Sequence, residues 1–225
     1  MEESIMTQRK IALVSITINA VGPMTDYIKK NAPEFKVTNY LDGFMMEKIK
    51  AEGGVNDDSM DRMLQMISKA CKDGNEGIII TCTVFSKYQP FFAELFSVPI
   101  ISADTAMLTE TASHDGKTAI IYTFPGTYDT TLNGYKNACA KLGKSDEVDM
   151  VIAEGAFEAA QNGNLEESDR LVREKIMELD EKYDNISLAQ ISLVGALKGV
   201  TLKHARVFSS PSCAVAQMRK ELNEK

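Results

Sequence analysis

The chain has 225 residues, enough for one large or two small domains with a substantial core. Its 25 Lys and Arg against 32 Asp and Glu, with no basic cluster, argue against an electrostatic nucleic-acid footprint. No apolar stretch approaches the ~20 residues of a membrane span, and residues 1–10 lack the apolar core of a signal peptide, so the expected location is cytoplasmic.

In chain order, residues 10–16 form a β-rich, nearly continuous apolar run, the pattern of a strand buried on both faces of a parallel sheet. Helical periodicities follow at residues 24–31 and 60–72, the second closed by Gly74 and Gly77. A second buried strand is predicted at 78–81 and a third at 118–123. A helix at 128–142 ends on Gly143, another runs over 165–183, a strand covers 186–188, and a last helix covers 213–222. Strands alternating with helices in this way predict βαβ units.

The second strand carries the most pointed chemistry. In Ile78-Ile79-Ile80-Thr81-Cys82-Thr83 a β-branched run delivers one cysteine, flanked by two threonines, to a strand's carboxyl end. Ligands of open α/β sheets collect there. The competing reading is a buried cysteine behaving as a small hydrophobe. Cys71 and Cys139 fall inside helical patterns, where packing is the expected role, and no CxxC pair points to zinc or a redox dithiol. The two histidines, His114 and His204, lie outside any ligand spacing, so no metal is expected.

Sliding the chain by 107 to 108 residues superposes like on like. Lys10-Ile-Ala-Leu-Val-Ser-Ile matches Lys117-Thr-Ala-Ile-Ile-Tyr-Thr, Ile78-Ile-Ile-Thr-Cys82 lies over Ile186-Ser-Leu-Ala-Gln190, and Ile100-Ile-Ser-Ala-Asp-Thr-Ala106 over Phe208-Ser-Ser-Pro-Ser-Cys-Ala214. Two similar α/β halves are expected, the chain crossing to the second near Ala106 and returning near Val207 so that its last helix packs on the first half. No Pro-, Gly- or Ser-rich linker separates them.

Four segments, Ile11 through Pro23, Thr81-Cys82-Thr83, Pro99 through Met107, and Gly116 through Thr127, resemble the aspartate/glutamate racemase superfamily in its loosely defined racemase-like branch. The run Leu188-Ala-Gln-Ile-Ser192, followed by Ser210-Pro-Ser-Cys-Ala-Val215, is also similar to that branch. The resemblance implies two pseudosymmetric Rossmann-like three-layer α/β domains with parallel sheets, residues 1–106 plus 207–225 and residues 107–206, with the site in the cleft between them. It implies a cofactor-independent racemase or isomerase that moves a proton at the carbon α to the carboxylate of a small acid, Asp- or Glu-like. The family's two cysteines serve as base and acid on opposite faces; here the first matches Cys82, but the second position matches Gln190, which cannot transfer a proton that way. The departure leaves open a one-cysteine decarboxylase of a malonate-like acid and a non-catalytic carboxylate-binding protein. The expected partner is a small carboxylate, with no nucleic acid, membrane or cofactor; a homo-oligomer is compatible with the sequence.

Only a thiolate is a useful base, and an unperturbed thiol has a pKa of ~8.5, so the site must favour charge on sulfur or keep the thiol as an acid. A strand end opening a helix supplies free N–H groups and a dipole. Asn19, Thr83, Thr123, Thr127 and Gln190 are the candidate substrate contacts, although threonine and asparagine at helix starts also serve as plain N-caps. Cys213, in Pro211-Ser212-Cys213 at the start of the last helix, is the candidate second acid or base. Under the repeat it corresponds to Thr105. Asp104, Lys87 and Tyr128 carry weaker cases as substrate contacts.

Overall fold

A computed structural model of the chain describes residues 8–223; residues 1–7, part of the segment read for a leader, lie outside them. The chain divides into two compact units, residues Met1–Ala103 with Ala214–Lys225 and residues Asp104–Cys213.

The first unit opens with β1 (Arg9–Ser15), followed by α1 (Val21–Asn31), β2 (Phe35–Leu41), α2 (Met45–Ala51) and α3 (Asp57–Lys72). It continues through β3 (Gly77–Ile80), the one-turn α4 (Thr83–Ser86), α5 (Gln89–Leu95) and β4 (Ile100–Ser102). The four strands form an all-parallel sheet in the order β2-β1-β3-β4. Ile11 to Val14 and Ile78 to Ile80 are fully buried because β1 and β3 are the inner strands, covered on both faces and paired on both edges. In the edge strand β2 only Phe35 is buried and most other side chains are exposed, and this is why no apolar run marks it in the sequence.

The second unit repeats the plan. After α6 (Ala103–Ser113) come β5 (Thr118–Tyr122), α7 (Tyr128–Leu142), β6 (Asp149–Ile152), α8 (Ala156–Gln161), α9 (Leu165–Leu179), β7 (Asn185–Leu188) and β8 (Arg206–Ser209). Its sheet is also all-parallel, in the order β6-β5-β7-β8. Each helix that follows a unit's last strand is shared out: α6 follows β4 but belongs from Asp104 onward to the second unit, and α10 (Ser210–Asn223) follows β8 but belongs from Ala214 onward to the first. The return expected near Val207 therefore comes later, because Arg206 to Ser209 pair with β7. Within the first unit, α10 is fastened by the Arg219–Glu34 ion pair at 2.6 Å, by Arg219 donating to the Asn31 carbonyl, and by Arg9 donating to the Leu222 carbonyl.

The sheet registers make the repeat concrete. Ile11 pairs with Gly77 and Thr118 with Asn185; Ile78 pairs with Ile100 and Ile186 with Val207. Ile100 thus corresponds to Val207 and not to Phe208, so Cys213 is the equivalent of Ala106 rather than of Thr105. Gly77 also departs from expectation. It does not end a helix but begins β3, and it is glycine because a Cβ there would run into the Met218 thioether of α10. Gly74 and Gly143 do take the left-handed backbone of helix ends, with φ of 80° and 66°.

The helix expected over residues 165–183 stops at Leu179. The cause is Asp180, whose carboxylate accepts the backbone N–H groups of Lys203 (2.8 Å), His204 (3.1 Å) and Ala205 (2.8 Å) and so ties the segment before β8 to the end of α9. These N–H donors, Lys203 first, hold the carboxyl below its ordinary range. A carboxyl depressed in the folded state stabilises fully above its unfolded pKa of ~3.9 and loses that contribution as pH falls below it. Asp180→Asn should therefore lower the melting temperature at neutral pH, and the gap to the parent should narrow as pH drops below ~4; thermal melts between pH 7 and pH 3 check this.

Candidate functional site

In the first unit the carboxyl ends of β1 and β3 lie side by side. Val14 opposes Ile80 in the register, and the next residues, Ser15 and Thr81, join their buried hydroxyls at 2.7 Å. The Thr81 N–H continues the ladder to the Val14 carbonyl at 3.1 Å. Cys82 follows as the extended N-cap of α4 and is 7% exposed. It packs in one apolar cluster with Ile16, Ile80, Phe85 and Phe92. The Cys82 carbonyl accepts the Phe85 N–H (3.2 Å) and the Ser86 hydroxyl (3.4 Å), and Ser102 at the end of β4 donates to Ser86 at 2.8 Å. Thr83 is half-buried as the first residue of α4, and Asn19 is exposed in a short 3₁₀ turn after β1. In the first unit Cys82, Thr83 and Asn19 thus follow the carboxyl ends of the two adjacent inner strands β1 and β3. The helix after Cys82 is four residues long, and α5 begins afresh at Gln89, so little dipole is aimed at the thiol.

In the second unit the same two strand ends carry different chemistry. Thr123 follows β5, Gln190 follows β7, and the two clasp each other: the Thr123 N–H donates to Gln190 Oε1 at 3.0 Å and Gln190 Nε2 donates to Thr123 Oγ1 at 3.0 Å. The equivalent pair in the first unit is Ile16 and Cys82. Thr127 lies one turn beyond Thr123 and donates its hydroxyl to the Phe124 carbonyl at 2.7 Å. It is therefore a local turn-former first, with its oxygen lone pairs left over. Tyr128 sits edge-on against Tyr122, and Lys87 in the first unit lies over its neighbour Tyr88. Asp104 accepts the Thr105 N–H at 3.0 Å in the first turn of α6.

Cys213 is 7% exposed in α10, within a chain of hydroxyls in which Ser212 donates to the Ser209 carbonyl (2.9 Å) and lies 3.8 Å from the Cys213 sulfur. Burial pushes its thiol up to about 11, so at neutral pH it is a proton donor and not a base.

The sequence pattern overlooked Ser15 and Ser102, because single hydroxyls in apolar runs read as strand residues, and it overlooked Ser86 in the short α4. The second unit holds a cavity of about 370 Å³. It opens at the amino ends of β5 and β6 among Asp115, Lys117, Thr118, Tyr135, Lys144 and Asp149, and its lysines are already paired with Asp115 and Asp149. No helix among the described residues is long and apolar enough to cross a membrane.

No family model matches the chain, and no curated protein matches it in sequence. Solved structures do match in fold. An aspartate racemase from Picrophilus torridus superposes with a TM-score of 0.68 at 11% identity, over 96% of this chain and 94% of that one. An allantoin racemase from Klebsiella pneumoniae gives 0.69 at 13% identity, over 96% and 89%. A glutamate racemase from Bacillus anthracis gives 0.66 at 14% identity, over 97% and 83%. The chain thus shares the two-domain α/β fold of these racemases over nearly its whole length.

The burial of Cys213 generates a measurable expectation. Its alkylation by iodoacetamide should stay slow at neutral pH and accelerate only as pH approaches about 11; mass spectrometry of peptides labelled across a pH series reads this out.

Proposed function

We propose that the protein is a cofactor-independent racemase or isomerase that transfers a proton at the carbon α to the carboxylate of a small acid, with Cys82 as the acid/base. The observation that carries this reading is the single buried thiol two residues beyond the inner strand β3, in a chain with the fold of three kinds of racemase. Asn19 and Thr83 are the proposed contacts on the Cys82 side, and Thr123 is the proposed carboxylate donor of the second unit, which Thr127 joins only by giving up its bond to the Phe124 carbonyl. In the reaction the Cys82 thiolate removes the α-proton, the electron pair passes into the carboxylate as an enediolate, and reprotonation at carbon completes exchange. Donors fixed where negative charge develops lower the barrier to that enediolate.

The Thr123–Gln190 clasp favours a second reading at the same site. An amide has no proton to give a carbanion, so chemistry here has one thiol where the paired mechanism uses two. Decarboxylation of a malonate-like acid needs only one: the C–C bond to the departing carboxylate breaks, carbon dioxide leaves, and the Cys82 thiol protonates the resulting enediolate. A protein that binds the carboxylate without chemistry is the third outcome.

Incubation of amino and dicarboxylic acids with the protein in deuterated water, followed by proton NMR, separates the three. Loss of an α-proton signal identifies the first reading, loss of a carboxylate from a 2-substituted malonate the second, and binding with neither the third. Cys82→Ala should fold, as judged by circular dichroism, and lose turnover by about a hundredfold to ten-thousandfold, the usual worth of a positioned acid or base. Full activity in that variant sinks the assignment, and loss confined to Cys213→Ala moves the chemistry to α10.

With a single thiol, one enantiomer should exchange its α-proton while its mirror image reacts far more slowly. Gln190→Cys should raise exchange of the slow enantiomer, at some loss of stability because the Thr123 N–H loses its acceptor. Equal exchange of both enantiomers by the unaltered protein would rule out the one-thiol account.

A further inference from the structure

The clasp between Gln190 and Thr123 has a directionality that the backbone fixes. The Thr123 N–H can only donate, so the Gln190 atom facing it at 3.0 Å must be the amide oxygen. The other end of that amide is then nitrogen, and at 3.0 Å it donates into the Thr123 hydroxyl oxygen. A threonine hydroxyl has one hydrogen and two lone pairs. With one lone pair taken by Gln190, the hydrogen points away from the amide, and among the described residues it has no acceptor. Thr123 is 6% exposed, so this donor is held in a largely desolvated position at the carboxyl end of β5.

From this we infer that Gln190 is a positioning residue, which acts through Thr123 by turning its hydroxyl into a dedicated donor for an anionic ligand group, in chemical class a carboxylate. The inference deepens the carboxylate-binding reading given above and rests on it. The arrangement belongs to the second unit alone, because the equivalent residues of the first, Ile16 and Cys82, offer neither the amide nor the hydroxyl. Gln190 therefore does more than fill the place of a second thiol: it commits this strand end to binding.

Malonate binding by isothermal titration calorimetry tests the inference on the parent and on Thr123→Ser, Thr123→Val, Gln190→Glu and the Thr123→Val/Gln190→Glu pair. Thr123→Ser keeps the donor and should bind like the parent. Thr123→Val removes only the hydroxyl and should weaken malonate about tenfold to a hundredfold, the worth of a hydrogen bond to a charged group. Gln190→Glu still accepts the Thr123 N–H but cannot donate, so it draws the hydroxyl hydrogen to itself. It should weaken malonate by a larger factor in the Thr123 background than in the Thr123→Val background, where only its charge acts. If Gln190→Glu fails to fold, Thr123→Val and Thr123→Ser, which leave the N–H to amide bond in place, carry the test.

The inference is overturned if the parent binds no malonate, if Thr123→Val binds as the parent does, or if the glutamate costs the same factor in both backgrounds. The deuterium-exchange screen stands apart from these outcomes. Exchange with an unchanged KM in Thr123→Val would leave the proposed function and remove this inference, whereas the expected malonate pattern without any turnover would do the reverse.

Discussion

The pairing of β1 with β3 is the constraint on which the candidate site depends. Val14 opposite Ile80 brings Ser15 and Thr81 level just where the sheet ends, and their hydroxyls satisfy each other in a place that water does not reach. Left unpaired, either would carry the desolvation penalty of a buried polar group. The bridge and the Thr81 N–H to the Val14 carbonyl fix the backbone up to the residue before Cys82. A slip of one residue would turn every side chain of β3 to the opposite face. The position of the thiol is therefore a consequence of register, not of the loop that follows it.

The second unit uses the same plan with the opposite emphasis. Thr123 and Gln190 occupy the places of Ile16 and Cys82, so an apolar pair carrying a reactive group becomes a polar pair whose groups bond to each other. The exchange removes a transferable proton and supplies two hydrogen bonds that stiffen the ends of β5 and β7. The two strand ends are equivalent in topology and unlike in chemistry, and the proposed function assigns proton transfer to the first and binding to the second.

Much of the fold was legible because the inner strands leave a strong mark. The Ile78-Ile79-Ile80 and Ala119-Ile120-Ile121 runs are continuous because both faces of β3 and β5 are covered. The edge strands β2 and β6 were not legible: Phe35 is the one buried residue of Phe35–Leu41 and Asp149–Ile152 has none, so neither carries the fully buried apolar run of an inner strand. The end of α9 was overrun because Met177, Leu179 and Tyr183 continue the apolar spacing, while the feature that stops the helix, Asp180 capturing three N–H groups more than twenty residues onward, is invisible in local sequence. Gly77 was misread for a related reason, since the residue that forbids a side chain there, Met218, lies at the far end of the chain. At the site, Cys82 could be found because a cysteine after an isoleucine run is unusual. The role of Gln190 could not, because an amide's worth depends on what faces each of its two ends.

The asymmetry of thiols narrows the chemistry further. A single base that removes the proton from one face of the substrate's α-carbon can return it to the resulting carbanion only on that face, so inversion by Cys82 alone would require the intermediate to turn over in place. A second donor removes that requirement, and one buried thiol that burial holds in its protonated form is Cys213, which can give a proton but has no thiolate with which to take one at neutral pH. Racemisation in both directions needs each partner to act as base in turn, and Cys213 fails that condition. One-sided exchange and protonation after decarboxylation both escape it, since neither asks for a second base. On either of those proposed routes the residues at the second strand end have no proton-transfer duty, and binding is the role the proposal gives them.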